Sequence, residues 1–180
     1  MFEQIKERQA LRKASRAANT RAIVGTTHDV HQARVLVVMP DDETRARAAW
    51  RLILDVDTPR RNLLPVALDD RIAYAPDAFA GHVRLVTSKE LDWWGLPKKD
   101  VAQEIWGHSP DVAIDFSHPF NIAAAYLCGA SPAHFRIALH SEEAEPFYDF
   151  LLSPQHDLGT AYDAAKAYLE AIDPPVLAFK

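Results

Sequence analysis

The chain has 180 residues, of which 48% are apolar and 25% are charged, and its formal net charge is −5. This length and composition predict one globular domain with a full core, and no apolar run approaches the ~20 residues of a membrane-spanning helix. The single cysteine, Cys128, excludes an internal disulfide framework and a cysteine-based zinc cluster. The N-terminus lacks the apolar segment of a secretory signal, so we expect a cytoplasmic protein.

Charge is unevenly distributed along the chain. Residues 1–21 carry six basic and two acidic side chains, a net +4, whereas the remaining residues carry 14 basic and 23 acidic ones, a net −9. Apolar residues at rough helical spacing predict a basic helix over residues 2–19, and we assign this helix and its polar connector to residues 1–32, ahead of a domain over 33–180. The candidate partner-binding cations are Lys6, Arg8, Arg12, Lys13 and Arg16.

Two interpretations of the basic helix remain open. A basic arm on an acidic body is typical of contact with something anionic, either RNA or an acidic protein face. Alternatively, the helix is amphipathic and solvated, and it packs on its own acidic body. Its apolar side is mostly alanine after Leu11, so it would dock shallowly or against a partner.

Apolar strands alternate with helices from residue 33 onward. The pattern predicts an α/β fold: a single open, mostly parallel five-stranded sheet with helices on both faces, of the Rossmann or flavodoxin-like kind. Pro65 indicates an edge position or a bulge in the second strand. Residues 69–81 and 140–157 are predicted to be irregular acidic insertions. The predicted strands cover residues 33–39, 62–69, 82–87, 111–116 and 134–139, and the last long helix covers 159–172.

Polar residues follow two of these strands, at the sheet edge where α/β proteins bind ligands. Asp41 and Asp42 follow the first strand, and their simplest role is helix capping. The absence of an aspartate after the third strand and a lysine after the fifth argues against a receiver-domain magnesium pocket. Ser117 is expected to cap a helix that starts at Pro119. Anion or ligand binding at this edge is the alternative, with candidate contacts Asp41, Asp42, Asp115, Ser117, His118 and Asn121.

Common catalytic and cofactor motifs are missing. No glycine-rich dinucleotide fingerprint, P-loop or nucleophile elbow occurs. His28 and His31 are spaced for a metal but lack a third ligand, and Cys128 is interpreted as a small packed residue. We therefore expect no cofactor, no metal and no catalytic residue, and the chain leans toward a non-enzymatic role.

Trp93 and Trp94 are adjacent, so a regular element cannot direct both into one core. Packing of both rings at the end of the sheet is the favoured interpretation, because large aromatic side chains are mostly buried. The alternative is that one of them is partly exposed and anchors a partner, because tryptophan is favoured in binding hot spots.

Two resemblances follow from these residues. The stretch 111–139 is similar to the strand–helix–strand of bacterial heptosyltransferase-like glycosyltransferases, which implies an α/β fold. Over most of its length the chain resembles an uncharacterised family of small bacterial proteins with a basic N-terminal helix. Its segments Lys89–Gly95 (KELDWWG) and Asp111–Ser117 (DVAIDFS) carry that second resemblance, which implies a cytoplasmic single domain.

The sequence thus predicts a non-enzymatic adaptor or accessory domain within a macromolecular complex. In this hypothesis the basic N-terminal helix binds a protein or RNA partner, with Trp93 and Trp94 as additional contacts. The alternative is a small-molecule binder or transferase-like enzyme that uses the carboxyl edge of the sheet.

Overall fold

A computed structural model describes residues 2–19, 33–55, 60–68, 75–79 and 81–152. The predictions for the connector 20–32, with His28 and His31, and for the helix 159–172 lie outside these residues. Within the described ranges the helices are α1 (Phe2–Asn19), α2 (Glu43–Asp55), α3 (Lys99–Trp106) and α4 (Ile122–Gly129), and short 3₁₀ turns cover Arg60–Asn62, Asp77–Phe79 and Ser88–Glu90. The strands are β1 (Val35–Met39), β2 (Leu63–Leu68), β3 (Arg84–Val86), β4 (Val112–Asp115), β5 (Phe135–Leu139) and β6 (Phe150–Leu152).

The strands form one sheet in the order β3-β2-β1-β4-β5-β6, and every neighbouring pair is parallel. β1 lies at the centre, and all five of its residues are buried, as expected for a β-branched run covered on both faces. The chain order runs outward from β1 on one side and from β4 on the other. This confirms the predicted open, doubly wound α/β fold.

Helices cover both faces of the sheet. Successive residues of β4 point to opposite sides: Ala113 joins the core beneath α1, α3 and α4, and Ile114 joins the core beneath α2. On the α2 side, Trp50 packs against Phe79 with ring centroids 4.9 Å apart. The α1 side is built largely from small residues, so that helices approach one another closely.

The sheet has six strands in the described residues, and the predicted count of five was wrong. β6 lies inside the segment 140–157, which was predicted to be irregular. Its three residues are too few to show the side-chain alternation of a strand, and the surrounding stretch is acidic. They form a strand because they pair with β5, with Ile137 opposite Phe150. Asp149 also holds this segment to β5 through Arg136.

Pro65 does not mark an edge strand, because β2 lies between β1 and β3. Pro65 is opposite Val37 of β1, whereas β3 begins to pair only at Val66. The missing N–H of the proline therefore falls on a part of β2 that β3 does not cover, which is where a sheet tolerates proline.

Candidate functional site

The carboxyl ends of β1 and β4 lie side by side, because Val38 pairs with Asp115. The predicted ligand contacts that follow these strands are therefore brought to one edge, at the point where the strand order reverses. Ligands of doubly wound folds bind at such switch points. Here Arg45, in the first turn of α2, donates a hydrogen bond to the His118 carbonyl across this edge.

Asp41 and Asp42 are both exposed, and Asp42 directly precedes α2. The Asp42 carboxylate accepts the Arg45 backbone N–H at 3.0 Å, and the Asp42 carbonyl accepts the Ala46 N–H at 2.8 Å. Asp42 therefore has the predicted capping geometry.

Asp115 points into the core and not toward solvent, with only 3% of its surface exposed. One carboxylate oxygen accepts hydrogen bonds from the Ser117 N–H at 2.8 Å and from the Ser117 hydroxyl, and the other accepts from the Tyr148 hydroxyl. Burial raises the pKa of Asp115 to about 6, although these hydrogen bonds work in the opposite direction. Burial, with the nearby Asp115 charge, also raises the pKa of the Tyr148 hydroxyl.

Ser117 does not cap the following helix, and that prediction was wrong. Its hydroxyl and N–H are bound to Asp115 two residues earlier, and the helix begins only at Ile122. Asn121 is the cap, because its side-chain oxygen accepts from the N–H groups of Ala123 at 2.9 Å and Ala124 at 3.2 Å. Pro119 precedes α4, after a cis peptide bond to His118, and does not lie in its first turn.

A second buried polar group was missed by the sequence reasoning. Arg136 in β5 is 6% exposed, and its guanidinium donates two 3.0 Å hydrogen bonds to Asp149 and one to the Gly129 carbonyl. An arginine inside the apolar run FRIAL was the available signal, since a buried guanidinium needs an acidic partner. Cys128 is also fully buried, and burial raises the pKa of its thiol, in keeping with a packed residue.

The basic helix α1 docks on its own domain. Ala10, Ala14 and Ala18 are buried and face α4, so the alanine side makes the close contact that small residues allow. Most of the cationic side chains stay at the surface: Arg8, Arg12, Lys13 and Arg16 are exposed and Lys6 is half-buried.

Trp93 is the most exposed of the large apolar side chains described, at 68%, whereas Trp94 packs against the core. The favoured interpretation, that both rings pack, is therefore wrong for Trp93, and the alternative of one exposed ring is confirmed. Lys6 lies over the Trp93 ring, with its ammonium 5.6 Å from the ring centroid. The first candidate cation and the first candidate tryptophan are thus neighbours in space.

The turn that presents Trp93 is tightly hydrogen-bonded. The Asp92 carboxylate accepts from the N–H groups of Trp94 at 2.8 Å and Leu96 at 3.1 Å and from the Lys13 ammonium. Burial opposes ionisation of Asp92, but these donors outweigh it and lower its pKa. Gly95 has φ +79, a left-handed conformation that glycine adopts without strain. Trp93 is therefore exposed on a fixed support.

The fold and these surfaces define a doubly wound parallel α/β domain that carries a docked basic helix. The chain belongs to a family of unknown function (DUF6913), whose model matches residues 73–172. That match includes the Trp93 turn and the β4–α4 edge but not α1. No curated protein and no solved structure matches the chain at a significant level.

Two kinds of feature are absent from the described residues. Within 2–152 and outside the gaps given above, no His, Cys, Asp or Glu side chains form a group of three or more that could hold a metal ion. In the same part of the chain, no helix combines the length and apolar character needed to cross a bilayer. The bacterial origin, the cytoplasmic location and the resemblance to glycosyltransferases stay predictions.

Proposed function

We propose that this chain is a partner-binding α/β domain that docks an acidic protein partner on α1 and the neighbouring Trp93 turn. The observation that carries this proposal is a tryptophan 68% exposed on a hydrogen-bonded turn beside Lys6. Exposing so large an apolar side chain has no folding benefit, whereas tryptophan in a fixed conformation suits a binding anchor.

The cations of α1 complement an acidic surface around that anchor. Lys6 and Lys13 lie on the flank of α1 that faces the Trp93 turn, and Arg8 is exposed on the same helix. Cations around an apolar anchor residue attract an acidic partner and repel a basic one. This surface therefore combines an apolar anchor, Trp93, with cations that favour an acidic partner.

An acidic protein fits this surface better than RNA does. Outside residues 1–21 the chain carries a net −9, and a long polyanion would approach that acidic body along its length. Domains that bind nucleic acid without base specificity depend on several cationic phosphate contacts along a basic face. A short acidic protein face meets only the basic helix and avoids the repulsion.

The test is affinity purification of the full chain from its own cells, followed by quantitative mass spectrometry. We expect a retained protein to be lost with Trp93→Ala or with Lys6→Glu, which reverses the charge beside that ring, and kept with Arg51→Glu, which reverses the charge of an exposed residue of α2. Raising the ionic strength from about 0.1 M to about 1 M, which shortens the Debye length from about 10 Å to about 3 Å, should also release it.

Two results would contradict the proposal. Retention that is unchanged by Trp93→Ala and Lys6→Glu would remove this surface from consideration. Retained RNA, lost on nuclease treatment with no protein remaining, would replace the acidic protein with a nucleic acid.

One observation favours a second candidate function, a small-molecule site at the carboxyl edge. Asp41, Asp42, Ser117 and His118 follow β1 and β4, which are neighbours at the point where the strand order reverses. Asn121 is a poorer ligand contact, since its side-chain oxygen is occupied by the start of α4.

Native mass spectrometry of the protein purified from its own cells tests this candidate. A bound small molecule should raise the melting temperature of wild type and of the control His82→Ala, but not that of His118→Ala. A stabilisation that survives His118→Ala, or a spectrum with no added mass, would count against this site.

A further inference from the structure

A groove of about 420 Å³ runs along the side of α1, against the turn that connects β5 to β6. One wall is formed by Leu11, Arg12 and Arg16 of α1, and the other by Glu143, Pro146 and Phe147. Lys6 and Lys13 reach the Trp93 turn, whereas Arg12 and Arg16 line this groove. The structure therefore separates the cations of α1 into two groups.

The two walls carry opposite charges. Arg12 and Arg16 are exposed on the α1 wall, and Glu143 is exposed on the other wall, with the exposed Glu142 and Glu145 beside it. A uniformly acidic segment in the groove would meet these glutamates, and a uniformly basic one would meet the arginines. An occupant fits both walls only if it carries acidic side chains opposite the basic wall, basic side chains opposite the acidic wall, and apolar side chains between them.

The walls are held in fixed positions. Phe147 packs on Phe120 with ring centroids 5.9 Å apart and lies so close to Gly129 that a Cβ there would be 3.1 Å from the Phe147 side chain. The turn is closed by the Phe147 N–H bond to the Ala144 carbonyl at 2.9 Å. Since α1 packs on α4 and Phe147 packs on Gly129 of the same helix, both walls are held by α4.

We infer that this groove is a homodimer interface. A two-fold axis through its apolar strip places the basic wall of each copy on the acidic wall of the other, so that Arg12 of one copy faces Glu143 of the second, twice. A two-fold interface requires one self-complementary patch, and a basic wall and an acidic wall on either side of an apolar strip satisfy this requirement in charge. The dimer would present two Trp93 turns.

The experiment is sedimentation equilibrium on the full chain over a range of protein concentrations. We expect the wild-type mass to rise toward twice the 20.2 kDa of one chain and to fall again when salt is raised. Arg12→Glu and Glu143→Arg should each weaken the dimer by at least about tenfold in Kd, because each change places two repulsive contacts across the axis. Arg51→Glu should leave the mass unchanged.

Mixing the two charge-reversed variants gives the decisive result. In the mixed dimer, one of the two cross-axis contacts pairs the glutamate that replaces Arg12 in one copy with the arginine that replaces Glu143 in the other. The second contact pairs the unchanged Arg12 and Glu143, so the mixture should dimerise where each variant alone does not. A wild type that stays monomeric overturns the inference, as does a dimer that both variants preserve or a mixture that stays monomeric. Circular dichroism of each variant shows that the fold is retained.

Discussion

Asp115 shows how a single buried group can make stability depend on pH. The carboxyl lies in an apolar core, and three donor groups from Ser117 and Tyr148 only partly replace the water that it loses. Its pKa is consequently raised to about 6, because desolvation penalises the charged form more than these hydrogen bonds favour it.

We expect Asp115→Asn to remove this pH dependence. The pKa of Asp115 is about 6 in the folded chain and about 3.9 in an unfolded one, so protonation favours the folded state. The stabilisation is fully present below about pH 4 and is lost as the pH rises through 6. Between about pH 5 and pH 7.5, wild type should lose about 1 kcal/mol of unfolding free energy that the variant does not lose, as measured by urea denaturation.

Glu90, whose pKa is shifted in the opposite direction, titrates below this range of pH. The hydrogen bond from Arg84 lowers the pKa of Glu90 to about 2, so Glu90 stabilises the fold above about pH 4.5 and its contribution is lost only in stronger acid. Equal pH slopes for wild type and Asp115→Asn would show that the buried carboxyl does not titrate in the range tested.

Tyr148→Phe should destabilise the protein more at neutral than at acidic pH. The change removes the hydroxyl that donates to Asp115 and leaves a buried carboxylate short of one donor, a loss of about 1–3 kcal/mol. At about pH 5 the folded carboxyl is largely protonated and the loss shrinks. Urea denaturation at the two pH values measures the difference, and Tyr126→Phe, which changes a tyrosine that does not donate to Asp115, should show a pH-independent effect.

At the scale of elements, helix α4 depends on its cap. Asn121→Ala removes the oxygen that accepts from Ala123 and Ala124, and we expect a loss of about 1 kcal/mol in the free energy of unfolding. Asn121→Ser keeps an acceptor and should recover most of it. Thermal unfolding of the two variants gives the comparison, and equal destabilisation would mean that the side-chain oxygen is not the stabilising feature.

Strand β6 depends on the pair formed by Arg136 and Asp149. Asp149→Ala leaves the buried guanidinium without its carboxylate, a change that costs about 3–5 kcal/mol in fully buried pairs. The Asp149 side chain is 29% exposed, so water offsets part of the loss and we expect about 2 kcal/mol.

Hydrogen exchange gives the local signature of that loss. The backbone amides of Leu151 and Leu152 should exchange faster in Asp149→Ala, because the strand has only three residues and the Arg136–Asp149 pair lies directly before it. The exposed Glu145→Ala is the matched control in the same segment. Unchanged exchange in Asp149→Ala would show that β6 is held by its apolar contacts alone.

At the scale of the whole molecule, α1 is joined to the body by small residues. Ala14 is fully buried against the α4 side of the core, so Ala14→Leu has no room and should push the helix away at a cost of about 1–3 kcal/mol. A displaced α1 exposes bonds after Arg8, Arg12, Lys13 and Arg16 to trypsin. We expect faster cleavage there in Ala14→Leu and not in Gln9→Leu, which changes an exposed position; equal cleavage would contradict this packing.

Much of the architecture was predictable because it depends on local patterns. Strands buried on both faces appear as β-branched apolar runs, and β1 and β5 were recognised in this way to within two residues. β6 was missed because three residues are too few to show the two-residue alternation of side chains in a strand. The cap of α4 was misplaced by four residues, since Ser117 and Asn121 are both suitable caps and only the carboxylate of Asp115 decides which of them is already bonded.

The candidate sites were less predictable. From the sequence, packing of both Trp93 and Trp94 was the favoured interpretation, and one exposed ring was the alternative, with no indication of which ring it is. Tyr148, Arg136 and Asp149 were missed because their partners lie 33, 13 and 13 residues away along the chain. Patterns among neighbouring residues of the sequence give no information about contacts between such distant residues.

By itself the sequence determined the α/β class, the parallel sheet and the contrast between a basic helix and an acidic body, because periodicity and charge are properties of neighbouring residues. Only the tertiary structure decided that α1 docks through its alanines, that Trp93 faces solvent beside Lys6, and that Arg12 lies across a groove from Glu143. Those relations depend on which distant segments the core brings together, and burial then sets whether a charged group such as Asp115 is available to a partner or enclosed in the fold.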